Sequence, residues 1–132
     1  MENKELIKMA LEAREKAYAP YSKFAVGAAL LAESGEVYLG CNIESASYSP
    51  TCCAERVAFF EAVSKGERRF SAIAVVGGAL GEYPSGICPP CGVCRQVMKE
   101  FCDGDFKIIL QDGAEDIKIF TLDELLPLGF TI

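Results

Sequence analysis

Apolar and polar positions alternate along this chain in patterns that divide it into short elements. Between residues 3 and 18, Leu6, Met9, Ala10, Ala13 and Ala17 recur at helical spacing with charged residues between them, which predicts an amphipathic helix. Pro20 stands just beyond its end. Residues 24–32, FAVGAALLA, are continuously apolar, as in a strand buried on both faces. Ser34-Gly35 reads as a turn, and 36–41 as the returning strand of a hairpin. A polar stretch from 42 to 51 leads into a helix over about 53–65, apolar around much of its circumference and therefore packed inside. Residues 72–76 read as a buried strand, 77–90 as a Gly- and Pro-rich loop and 91–101 as a third helix. Two short strands at 106–110 and 117–120 precede a last helical turn near 123–126. The order α-β-β-α-β-α-β-β predicts an α/β fold, a mixed sheet with helices on both faces. With 132 residues and neither repeat nor linker, residues 1–132 read as a single domain.

Composition narrows the function classes. The formal net charge is −6, and the one basic cluster, Lys65, Arg68 and Arg69, is interrupted by Gly66 and Glu67. A chain that grips a phosphate backbone carries a basic stripe, so nucleic acid is not the expected partner. The first residues lack the charged-then-apolar layout of a secretory signal. No apolar run approaches the roughly 20 residues that cross a bilayer. A cytoplasmic protein without a membrane partner is expected. The cytosol keeps thiols reduced, which turns the seven cysteines from a disulfide framework into candidates for metal binding or catalysis. There is no histidine, so no Ser-His or Cys-His dyad and no imidazole ligand is available. Proton transfer near neutral pH falls to a carboxylate, cysteine, lysine or tyrosine.

Two segments then stand out, Cys53-Ala54-Glu55 and Pro90-Cys91-Gly92-Val93-Cys94, each at a predicted helix start. Cys91 and Cys94 share a face in the first helical turn. Helix N-termini favour thiolates through the macrodipole and their free N–H groups. Three thiolates from Cys53, Cys91 and Cys94 would leave one tetrahedral position of a Zn2+ open, the mark of a catalytic rather than a structural zinc. Water in that position would have a pKa near 7, supplying hydroxide at neutral pH. Glu55, close to the metal and without a competing histidine, is the expected proton shuttle. Three thiolates and one Zn2+ carry a net charge of −1, which opposes ionisation of the water. Arg56 and Arg95, next to Glu55 and Cys94, are expected to donate hydrogen bonds to sulfur and relieve that charge, Arg56 chiefly.

The two segments match the zinc deaminase signature, Cys-x-Glu followed by Pro-Cys-x-x-Cys. Over nearly its whole length the chain resembles the small homotetrameric cytidine deaminases. The resemblance rests also on Tyr18-Ala-Pro-Tyr-Ser-Lys-Phe24, Val26-Gly-Ala-Ala, Gly40-Cys-Asn-Ile-Glu44, Arg56, Arg95-Gln96 and Leu125-Leu-Pro-Leu-Gly-Phe130. It implies a three-layer α/β/α fold on a five-stranded mixed sheet, one Zn2+ per chain, and hydrolysis of cytidine or deoxycytidine to uridine or deoxyuridine and ammonia. It places Asn42 and Glu44 on the ribose and Phe24 and the Ala54 backbone on the base. Tyr48 and Phe130 become residues lent to the site by a neighbouring subunit of a homotetramer.

Other readings predict other outcomes. Cys41, Cys52, Cys88 and Cys102 are expected to be small buried hydrophobes. Cys88-Pro-Pro-Cys91 would be a redox pair only if a strand led directly into it, and a Gly/Pro loop does instead. A structural zinc module with Cys88 as fourth ligand leaves the placement of Glu55 unexplained. A deaminase of the same fold acting on an aminoacyl-nucleoside such as blasticidin S is the nearest rival, disfavoured by Asn42-Ile43-Glu44. An editing deaminase on RNA or DNA is opposed by the acidic balance.

Overall fold

The apolar run at 24–32 forms β1 (Phe24–Ala32), flanked on one side by β2 (Val37–Cys41) and on the other by β3 (Phe70–Ala79). The sheet continues through β4 (Lys107–Gln111) and β5 (Ile117–Thr121) in the order β2-β1-β3-β4-β5. Every neighbouring pair is antiparallel except β3 and β4, which run parallel. This computed structural model describes residues 1–113 and 116–132. Its helices are α1 (Asn3–Arg14), α2 (Ala54–Ser64), α3 (Gly92–Phe101) and the short α4 (Leu122–Leu125).

Strict alternation along the strands sorts the core into two layers. Ala29, Ala72, Ala74, Val76 and Ile109 face Leu6, Ile7 and Ala10 of α1. Ala28, Leu30, Ile73, Val75, Ile108 and Leu110 face Phe59 of α2 and Met98 of α3. A one-residue slip would exchange the two sets, so burial on both faces fixes the register. The expected three-layer α/β/α arrangement on a five-stranded mixed sheet is therefore present.

The topology decides where chemistry can occur. β2 and β3 are both antiparallel to β1, hence parallel to one another, and α2 connects them. β3 and β4 are parallel, and α3 connects them. Parallel strands need such crossovers. The N-termini of α2 and α3 consequently meet at the same end of the sheet, beyond the carboxyl ends of β2 and β3, where open α/β sheets bind ligands. Antiparallel β1 begins at that end with Phe24. Gly40 lets α2 settle there: a Cβ at that position would collide with the Ala54 carbonyl and the Ala58 amide.

Two of the boundaries that differ from the sequence reading border the site. The first helix ends at Arg14 rather than at 18, because the following chain is claimed by tertiary hydrogen bonds: Tyr18 N–H donates to Asn42 O (2.9 Å) and Glu44 N–H to Tyr18 O (2.9 Å). The third strand runs to Ala79 instead of 76, with Gly77 and Gly78 paired to Val26 and Ala25. A side chain on Gly77 would strike the Cys88 sulfur and the Phe24 ring, so the glycine belongs to the strand and makes room beside it.

Candidate active site

Cys53 is the N-cap of α2 and Cys91 the N-cap of α3, both in extended conformation, and Cys94 lies in the first turn of α3. The crossovers bring the three Sγ atoms within 4.8 Å of one another. Cys53 and Cys91 are 3.8 Å apart and Cys91 and Cys94 3.4 Å. A tetrahedron with metal–sulfur bonds of about 2.3 Å has edges of about 3.8 Å, so the donor set and its spacing fit Zn2+. The Cys94 backbone N–H points at the Cys91 sulfur (3.4 Å), adding a donor to a helix end that already favours negative charge.

The electrostatics favour a thiolate at Cys53. Cys53 is pulled down to about 5, first by the Cys94 thiol donating to its sulfur and also by Arg56, against the effect of burial. Cys94, the donor in that contact and buried, is pushed up. Arg56 Nη2 lies 3.3 Å from Cys53 Sγ, and that contact holds the guanidinium firmly charged. Glu55 is 5% exposed at the start of α2. Burial above all, with the negative Cys53 beside it, raises its carboxyl to about 7. A carboxyl poised there can both take and return a proton at neutral pH.

Arg95 departs from its expected place. Its Nε donates to Pro90 O (2.6 Å) and its Nη1 to Leu125 O (2.7 Å), so it ties the loop before Cys91 to the C-terminal segment rather than donating to sulfur. Gln96 holds the same segment through Phe130 O (2.8 Å). The reason is directional: Cys94 turns into the core, 1% exposed, while its neighbour faces the last residues of the chain.

A cavity of about 240 Å³ opens beside the cluster, lined among others by Asn42, Glu44, Cys53, Ala54, Glu55 and Cys88. Asn42 is clamped to β1, accepting from Val26 N–H (2.8 Å) and donating to Phe24 O (2.8 Å). Glu44 accepts from the N–H groups of Tyr21 (3.0 Å) and Ser22 (3.1 Å) and from the Ser22 hydroxyl, which lowers its pKa. Phe24, 43% exposed, flanks this end over Gly77. Tyr48 and Phe130, 80% and 65% exposed, lie outside the cavity of their own chain.

Cys88 stands apart from the three-sulfur cluster, over Gly77, with its thiol pushed up to about 11 by burial. Cys102 is buried as expected, while Cys41, Cys52 and Cys88 are half-buried. The sequence left Cys88 as a small hydrophobe and gave Ser22 no role of its own, whereas Cys88 lines the cavity and Ser22 holds the Glu44 carboxylate. The available signals were short-range: Cys88 precedes a ligand by three residues, and Ser22 precedes Phe24 by two.

Comparison with known proteins agrees with this geometry. Residues 1–110 match the model of the cytidine and deoxycytidylate deaminase zinc-binding region. The chain is 52% identical to the cytidine deaminase of Sporosarcina psychrophila, covering 99% of this chain and 93% of that protein. It is also 52% identical to the cytidine deaminase of Halalkalibacterium halodurans, covering 99% and 96%. The crystal structure of cytidine deaminase from Burkholderia pseudomallei superposes with a TM-score of 0.90 at 46% identity, covering 98% of this chain and all of that one. Fold, three-cysteine cluster and family model converge: the chain belongs to the cytidine and deoxycytidylate deaminase family and is a zinc-dependent hydrolytic deaminase.

Proposed function

We propose that the protein deaminates free cytidine and deoxycytidine, with Glu55 as the proton carrier and Asn42 and Glu44 on the sugar. The observation that carries this reading is the buried Glu55 carboxyl beside three clustered thiols, at the wall of a cavity that also presents Asn42 and Glu44. A Zn2+ held by Cys53, Cys91 and Cys94 supplies Lewis acidity that makes water a competent nucleophile near neutral pH. Glu55 takes the two protons of the attacking water in turn and delivers one to the ring nitrogen N3 and one to the amino group at C4, which leaves as ammonia while the water oxygen becomes the new carbonyl. Burial suits Glu55 to both steps, since its affinity for a proton lies near neutrality. Asn42 has one amide hydrogen left beyond its bond to Phe24 O, and Glu44 is an acceptor. Together they offer a donor and an acceptor to sugar hydroxyls. Conversion of cytidine and deoxycytidine, followed by absorbance beside zinc analysis, tests the reading. Turnover of blasticidin S in preference to both nucleosides would replace it.

Arg56 should tune the metal site. Arg56→Gln removes the cationic donor to Cys53 while keeping the chain length similar. The expected loss is roughly 10–100-fold in zinc affinity or activity, the scale of outer contacts to metal ligands. If both quantities are unchanged, the guanidinium does not serve the thiolates.

The site is completed by neighbouring subunits of a homotetramer, with Tyr48 and Phe130 lent across the interface. Their exposure, and their absence from the lining of the cavity in their own chain, support this. An aromatic closing the pocket from next door would exclude water from the base. Complementation measures it: Glu55→Ala and Phe130→Ala are refolded separately and as a mixture. Hybrid sites pair an intact Glu55 with an intact Phe130, so the mixture should exceed the average of the two parents. Activity equal to that average, in preparations whose mass confirms mixed tetramers, would place Phe130 within its own subunit. Among the described residues no helix is long and apolar enough to cross a membrane; the absence of a membrane or nucleic-acid partner and a cytoplasmic location accord with the composition and charge.

A further inference from the structure

The turn before β1 is built around the Glu44 carboxylate. One oxygen, Oε1, accepts the backbone N–H groups of Tyr21 and Ser22 at 3.0 and 3.1 Å. The other, Oε2, accepts the Ser22 hydroxyl. The same Ser22 oxygen accepts the N–H of Phe24 at 3.1 Å. The turn is pinned on both sides of Ser22, since Lys23 N–H donates to Ala19 O (3.1 Å) and Lys23 O accepts from Leu80 N–H (2.7 Å). One small side chain thus joins a carboxylate lining the cavity to the first residue of β1.

A carboxylate held at a single oxygen still swings its second oxygen, because the terminal torsion of Glu is broad and two-fold. The Ser22 hydroxyl is the contact that stops this rotation. It has one hydrogen, given to Oε2, and accepts Phe24 N–H in return. Oε2 keeps a free lone pair whose direction is then fixed.

We propose that Ser22 is a positioning residue for the sugar side of the site, locking the Glu44 carboxylate and the first residue of β1 into one arrangement so that Oε2 meets a ribose hydroxyl in a set direction. The inference rests on the assignment of Glu44 to the sugar, and it adds a determinant of discrimination between sugars.

The test compares cytidine with 2′,3′-dideoxycytidine, which keeps the base and removes the hydroxyls Glu44 would meet. Ser22→Ala should raise KM for cytidine about 10-fold, the scale of one hydrogen bond to a charged group, with kcat within about 3-fold. It should leave the dideoxy compound unaffected, and Ser22→Thr, which restores the hydroxyl, should recover the cytidine KM. Equal losses on both compounds, or no loss on either, would reduce Ser22 to a turn residue and overturn the proposal. Glu44→Gln is measured alongside. If it lowers the preference for cytidine while Ser22→Ala does not, the assignment of Glu44 stands and the proposal alone fails. If Glu44→Gln treats the two compounds alike, both fall. Zinc content and thermal midpoints of all three variants show that the fold and metal site are intact.

Discussion

Glu55→Gln is expected to lower turnover by at least about 100-fold, the lower end of the range for general acid–base catalysis, while zinc stays near one per chain. The substitution keeps the size and most of the polarity of a side chain that is 5% exposed at the start of α2, so packing against the sheet is preserved. What it removes is the exchangeable proton. The chain contains no histidine to take over, and the neighbouring thiols are committed to the metal. The assay must therefore separate chemistry from assembly: metal analysis and thermal unfolding report the second, initial rates the first. Near-normal turnover in a variant with full zinc would remove Glu55 from the mechanism.

Loss of a ligand should act differently, taking the metal and the activity together. Cys91 is the informative choice, because it is exposed while Cys94 is buried, and Cys91→Ser leaves the core undisturbed. A serine hydroxyl stays protonated where a thiolate would bind, so the remaining pair, Cys53 and Cys94, cannot retain zinc at one per chain. Activity should fall by more than the roughly 100-fold that outer contacts can cost. Cys88→Ser is the matched control. Its sulfur packs over Gly77, outside the cluster, so zinc should remain near one per chain. Zinc loss from Cys88→Ser, with retention in Cys91→Ser, would reverse the ligand assignment and favour a structural site.

The two variants also separate what short-range pattern carries from what it does not. Cys91 and Cys94 are legible as a pair because helical geometry alone puts residues three apart on one face. Cys53 joins them only by motif, since no local rule brings together segments 38 positions apart. Arg56 and Arg95 look equivalent in sequence, each one residue beyond a chemically marked position. The structure places Arg56 on the Cys53 sulfur and Arg95 on the carbonyls of Pro90 and Leu125. That choice depends on what packs beyond each helix end, which adjacency does not encode.

The strands show the same division. The unbroken apolar run of β1 could be read at once, because a strand covered on both faces needs no polar alternation. The last residues of β3 could not: Gly77 and Gly78 resemble loop residues until Val26 and Ala25 are seen paired with them. Likewise, helical periodicity persists past Arg14, but the hydrogen bonds that Tyr18 donates to Asn42 O and accepts from Glu44 N–H end the helix earlier.

By itself, then, the sequence determined the element order, the two-faced core and the residue types for zinc chemistry without histidine, because periodicity, capping and ligand chemistry act within a turn or two of chain. Only the tertiary structure decided that Glu55 is buried to the point of holding its proton near neutrality, that Cys88 stands outside the cluster, and that Ser22 joins Glu44 to Phe24. Those outcomes follow from desolvation and hydrogen bonding between distant segments, which exist only once parallel crossovers have set α2 and α3 at the same end of the sheet.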